Sequence, residues 1–153
     1  MKRFLLFSVL FCLVSAMAMQ AANREFVLVD AKGSIVADKA TLSFAKVENA
    51  GFGPQIKSGL SVRNTSGKEL NIMLVVEIVE IGGSEAALGV CFPAECNAWS
   101  KKGAYRTSSG KFAAKAKDKS IATDFNLKGK DHCTAVLKFY TTNSPESDEM
   151  AEP

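Results

Sequence analysis

Most of what catalysis needs is missing from this sequence. Its 153 residues include a single histidine, His132, and a single tryptophan, Trp99. There is no G-x-S-x-G elbow, no H-E-x-x-H helix and no glycine loop of the kind that cradles phosphates. One imidazole with no nucleophile set beside it by motif does not make a triad, and Glu77 and Glu80, three apart on an expected strand, should point to opposite faces and so cannot flank a glycosidic bond. Enzymatic activity is therefore not expected. Cysteine is sparse, with no C-x-x-C pair for thioredoxin-type chemistry. A zinc set drawn from Cys91, Cys96, His132 and Cys133 fails because His132 and Cys133 are strand neighbours facing opposite ways. No metal or cofactor is expected.

Charge of one sign is also missing. Lys and Arg number 19 against 16 Asp and Glu, and loss of Lys2 and Arg3 would leave a net charge of about +1. No nucleic-acid partner is implied. Long apolar runs are absent as well. The longest, Phe4 to Val14, falls short of the roughly 20 residues that a membrane helix requires.

That run does carry information, because it follows Lys2-Arg3 and precedes Ala16-Met17-Ala18. A basic start, a short apolar stretch and small residues at the end read as a secretory signal peptide over 1–18, with cleavage as late as 21 as the alternative. The protein is expected to be exported, to the periplasm, the cell surface or the medium. Cys12 follows Phe11 inside the apolar run, which argues against a lipid anchor. A mature chain of about 135 residues suits one domain, assigned here to 22–143. Residues 144–153 hold Glu146, Asp148, Glu149 and Glu152 with no apolar pattern, and read as a disordered acidic tail.

Within the domain, period-two patterning dominates. Leu70, Ile72, Leu74, Val76 and Ile78 alternate with Asn71, Met73, Val75 and Glu77, which predicts a long central strand over 70–81. Past Ile78 the apolar parity flips to Val79 and Ile81, the mark of one extra residue in a β-bulge. Residues 133–142 place Cys133, Ala135, Leu137 and Phe139 on one face of a half-buried strand. Shorter strands are expected over 26–30, 40–47, 56–64, 88–92, 111–117 and 121–127, with a helical turn allowed at 85–88. The turns between them are rich in Gly, Asn and Ser. Seven or eight short strands without a capped helix predict an all-β, antiparallel sandwich, with a closed barrel as the runner-up.

Cys91 and Cys96 enclose Phe-Pro-Ala-Glu, and Pro93 favours a turn that can bring the two sulfurs together. Closing so short a loop stabilises by roughly 2 kcal/mol. Pairing of Cys133 with either thiol is the alternative.

Residues 58–81, then GVCFPAEC, then 124–147 resemble the small signal-bearing β-sandwich modules of Bacteroidetes bacteria, in which a long strand leads into a two-cysteine loop and a terminal aliphatic-Lys-aromatic-Thr strand precedes Asn and Pro. The resemblance spans roughly Ser58 to Glu146. It implies an immunoglobulin-like sandwich, a Cys91–Cys96 bond, and an accessory or binding role with no established catalysis. Cys133 departs from the pattern, and so does the lack of a further strand, which would leave the C-terminal sheet edge open.

Two surfaces stand out. Trp99 and Tyr105, with Lys101, Lys102 and Arg106, follow the cysteine loop and are expected to form a loop surface for a protein or glycan of the cell envelope. Packing of Trp99 over the disulfide is the competing use. Lys115, Lys117 and Lys119 are expected to form a basic comb along a strand, for an anionic ligand or as protection of a sheet edge. An exposed sheet edge that pairs with another subunit is the alternative basis for function.

Overall fold

The structure, a computed structural model, describes residues 24–50, 53–83, 85–127 and 131–142. The expected signal peptide and acidic tail lie outside these residues. Every regular element among them is a strand, and all pairings are antiparallel.

One layer is built on the predicted central strand. In chain order this strand is β6 (Leu70–Gly82), and β13 (His132–Thr142) pairs with it along its length. On its other side lie β9 (Gly103–Arg106) and β10 (Gly110–Phe112). Thr107 bridges the gap between those two. Its N–H donates to the Leu74 carbonyl at 2.9 Å, and its buried hydroxyl accepts from the Leu74 N–H at 3.1 Å. The hydroxyl thus takes over a ladder bond that the broken strand cannot make.

The predicted bulge is present. Thr134 pairs with Glu80 and Ala135 with Ile78, so Val79 is the extra residue and stands exposed. It also corrects one expectation. The added residue restores parity, so Glu77 and Glu80 both reach the outer face, where Glu77 holds Lys138 and Glu80 meets His132.

The facing layer contains β1 (Phe26–Val29), β2 (Ile35–Val36), β3 (Val47–Ala50), β4 (Gly53–Lys57), β5 (Ser61–Asn64), β7 (Ala87–Cys91), β8 (Cys96–Trp99), β11 (Lys119–Ser120) and β12 (Ala122–Asn126). The strand expected over 56–64 is really two, β4 and β5, broken at Ser58-Gly59-Leu60. Gly59 has φ +65°, and a Cβ there would press on Ala31 at 2.9 Å. Its neighbour breaks in step at Ile121, and hydrogen bonds from Ile121 N–H to Leu60 O (2.9 Å) and from Ser58 N–H to Thr123 O (3.2 Å) carry the pairing across. Such splitting, here and between β11 and β12, adds two strands, and the short β2, β8 and β9, where none was expected, complete the thirteen found among the described residues in place of seven or eight.

The core lies between the layers, with Ile72, Leu74, Val76 and Ile78 of β6 against Val62, Leu88, Val90 and Phe125 of the facing strands. The sheets do not close on themselves: β8 and β13 are terminal in the strand order of their sheets. The barrel alternative is set aside.

Three other expectations fail. No helical turn forms at 85–88, where β7 already begins at Ala87. The strand over 111–117 ends at Phe112, and Lys115 turns the chain with φ +55°. The strand over 40–47 is missing except for Val47, the first residue of β3. From Thr41 to Lys46 the chain is exposed, and its main chain makes no hydrogen bond to a described residue.

Candidate functional site

Cys91 and Cys96 are disulfide-bonded and face each other across the β7–β8 hairpin. That removes both from any metal set, and among the described residues Cys133 is the free thiol, half-buried on β13, with its pKa pushed up by burial. Phe92, next to Cys91 in the turn, is fully buried. The hairpin is thus anchored twice, by a covalent bond outside and an aromatic ring inside.

The segment expected to be a loop is mostly strand. Trp99 ends β8 opposite Leu88, whereas Tyr105 lies on β9 opposite Val76, in the other layer. Their rings stack with centroids 4.8 Å apart and planes 15° from parallel. The Tyr105 hydroxyl donates to the Lys101 carbonyl at 2.9 Å, four residues back, which fixes the crossing between layers. Both rings also pack on the core. Each therefore gives one face to the other, and the pair staples the two layers together. Lys101, Lys102 and Arg106 are exposed around this staple.

The basic comb does not form. Lys115 and Lys117 lie in a turn rather than on a strand, and Lys119 sits on β11 with its ammonium 4.8 Å from the centre of the Phe112 ring, a cation–π contact. The turn itself is held by Arg63, which makes two 2.7 Å bonds to the Asp118 carboxylate. Those hydrogen bonds, with the guanidinium charge, hold the Asp118 carboxyl below its usual range. A lowered folded value means that the clamp stabilises above the ordinary aspartate range and is lost as pH falls through the folded pKa. Amide protection over 113–118, referenced to the intrinsic exchange rate at each pH, should fall on acidification, and in Asp118→Asn it should be low and independent of pH in that range. Equal acid sensitivity in the variant would refute the assignment.

Glu77 accepts a hydrogen bond from Lys138 at 2.7 Å, and His132 lies 3.1 Å from Glu80, all on an open sheet face. The Glu77 contact raises the Lys138 pKa. A recess of about 260 Å³ beside the kink at Gly59 and Ile121 is smaller than the ~300–1,000 Å³ typical of small-molecule sites.

Two features bear on function beyond the named residues: the sequence anticipated the first only in outline, as an open C-terminal sheet edge, and missed the second. One is the outer edge of β13. It is terminal in its sheet, so among the described residues no strand covers that side of an 11-residue strand. Its burial alternates, with Cys133, Ala135, Leu137 and Phe139 only half-covered and His132, Thr134, Val136 and Lys138 exposed. The other is the exposed stretch 40–47, where Leu42, Phe44 and Val47 retain 42%, 43% and 51% of their accessible surface. The signal for both was the alternation already noted in the sequence, which fixes faces but not neighbours.

Comparison with protein-family models, with curated proteins and with solved structures finds no match.

Proposed function

We propose that the protein is an exported, non-catalytic binding or assembly module of the cell envelope that takes up an extended protein segment along the outer edge of β13. The observation that carries this reading is the length of that edge. A row of unpaired N–H and C=O groups over several residues is a template for another strand, and the half-covered row Ala135, Leu137 and Phe139 offers it an apolar side as well. A strand donor is a protein, which favours a protein partner over a glycan. Lys138, the one lysine on β13, is tied to Glu77 and leaves the edge without the run of charges that protects many exposed strands.

A second reading rests on the Trp99–Tyr105 pair with Lys101, Lys102 and Arg106 at its rim, where an aromatic anchor and steering charges would engage an acidic partner. Its weakness is that the two rings are already spent on each other.

A capture experiment from envelope and medium fractions separates the readings, using wild type, Thr134→Lys/Val136→Lys and Trp99→Ala. Both edge positions are exposed, so the double variant should fold. Edge binding predicts partner loss of about tenfold or more in the edge variant only, with slowed amide exchange along β13 in the wild-type complex. Loss confined to Trp99→Ala would overturn it in favour of the aromatic surface.

A further inference from the structure

We infer that the strand taken up by this edge is residues 40–47 of a second copy of the same chain. The inference rests on the edge reading above and names its occupant. Among the described residues there is a sheet edge without a strand and a strand pattern without a sheet, and each supplies what the other lacks. Between the turn at Lys39, where φ is +57°, and the start of β3, the chain reads Ala-Thr-Leu-Ser-Phe-Ala-Lys-Val. Leu42 and Phe44 share one side of that alternation and Thr41, Ser43 and Ala45 the other. Burying Leu42 and Phe44 would stabilise the pairing, and their exposure is what the monomer leaves unresolved.

One antiparallel register satisfies both surfaces. With Leu42 opposite Leu137, Phe44 falls opposite Ala135 and Ala40 opposite Phe139, so each phenylalanine of the inner row meets an alanine and the two leucines meet each other. Thr41, Ser43 and Ala45 then lie beside Lys138, Val136 and Thr134 on the outer row, where no like charges oppose. Lys46, the only charged residue in 40–47, falls at the end of the pairing, opposite Cys133. The surface that donates is not the surface that accepts. The contact is therefore head-to-tail, and it produces open chains unless two copies exchange segments reciprocally.

The free thiol turns this register into a test. Lys46 is exposed, with its ammonium on Glu48, so Lys46→Cys should leave the fold intact. Incubated with oxidised glutathione at rising protein concentration, this variant should form disulfide-linked dimers or longer chains on a non-reducing gel. The crosslink should disappear in Cys133→Ser and fall at least tenfold when Leu42→Asp/Phe44→Asp is added. Absence of Cys133-dependent multimers overturns the inference. So does a monomer in which the two thiols are bonded to each other, with the mass of neither glutathione adduct, which would mean that the segment closes on its own edge. Amide exchange along β13 distinguishes the two levels. Protection of β13 in the complex captured from envelope fractions, but not in the purified protein at any concentration, means that another occupant uses the edge and only self-donation fails, whereas protection in neither counts against the edge reading too.

Discussion

Phe92→Ala should cost about 3–5 kcal/mol, the range for removing a fully buried aromatic ring and a large part of the ~5–15 kcal/mol that holds a typical domain together. Phe92 has no accessible surface. Its ring stacks on Phe112 of β10 with centroids 5.6 Å apart, and meets Phe139 of β13 edge-on at 5.8 Å. Phe139 in turn touches Phe26 of β1 at 6.4 Å. Four rings thus run from Phe112 through Phe92 and Phe139 to Phe26, and Phe92 is the link that joins the disulfide hairpin to both Phe112 and Phe139. The hairpin cannot follow a shrunken side chain inward, because the Cys91–Cys96 bond and the Phe92 N–H to Glu95 O bond of 2.9 Å fix the turn. A cavity is left rather than filled, which places the cost high in the range. Urea unfolding should show a lower midpoint with an unchanged slope. Phe92→Leu should recover more than half of the loss. A cost below about 1 kcal/mol for the alanine variant would show that the ring is not a core element.

The same residue shows how far the sequence could be read. C-F-P-A-E-C marked a closed turn, and the turn is there, but nothing in six letters told that Phe92 points inward while Trp99, three residues beyond Cys96, is spent on a partner from the other layer. Periodicity located β6 and β13, both faces of β13 and the bulge at Val79, because a residue's side of a strand follows from counting by twos. Counting cannot see who the neighbour is. Residues 40–46 alternate as well as many true strands do, yet no strand among the described residues pairs with them, and pairing rather than pattern makes a strand. The lysines after Phe112 alternate too, but Lys115 takes a left-handed turn that an alternation has no means to show. Gly59 was the one visible warning: a glycine inside a strand pattern marks a bend, and there the expected single strand breaks in two. Glu77 and Glu80 were read as opposed from their spacing alone, although the bulge between them, itself foreseen, reverses that conclusion.

Asn64→Ala should destabilise by about 2–4 kcal/mol, since it removes one group from five polar contacts and leaves buried partners unpaired. Asn64-Thr65-Ser66 matches a glycosylation triplet, yet Asn64 is only 4% exposed. Its amide nitrogen donates to the carbonyls of Lys68 at 2.9 Å, Phe112 at 2.8 Å and Ala113 at 3.1 Å. Its oxygen accepts from the Ser66 N–H at 2.9 Å and the Ser66 hydroxyl at 2.7 Å. One side chain therefore ties the end of β5 to the turn into β6 and to the end of β10, which joins the two layers at the start of the central strand. Alanine restores none of this, and the Phe112 carbonyl, bonded in a buried setting, has no water to replace the lost donor. Asn64→Asp provides the sharper check. It keeps the acceptor but aims a carboxylate at three carbonyl oxygens, so the charged form is disfavoured and the introduced carboxyl's folded pKa must rise. Folding then favours the protonated form, and this variant should gain stability relative to wild type as pH falls through the raised value. That sign is opposite to the Arg63–Asp118 clamp in the same half of the molecule. Parallel urea titrations of wild type and Asn64→Asp across the acid range would read the difference directly, and a deficit that does not shrink toward low pH would show that Asn64 does not hold those carbonyls.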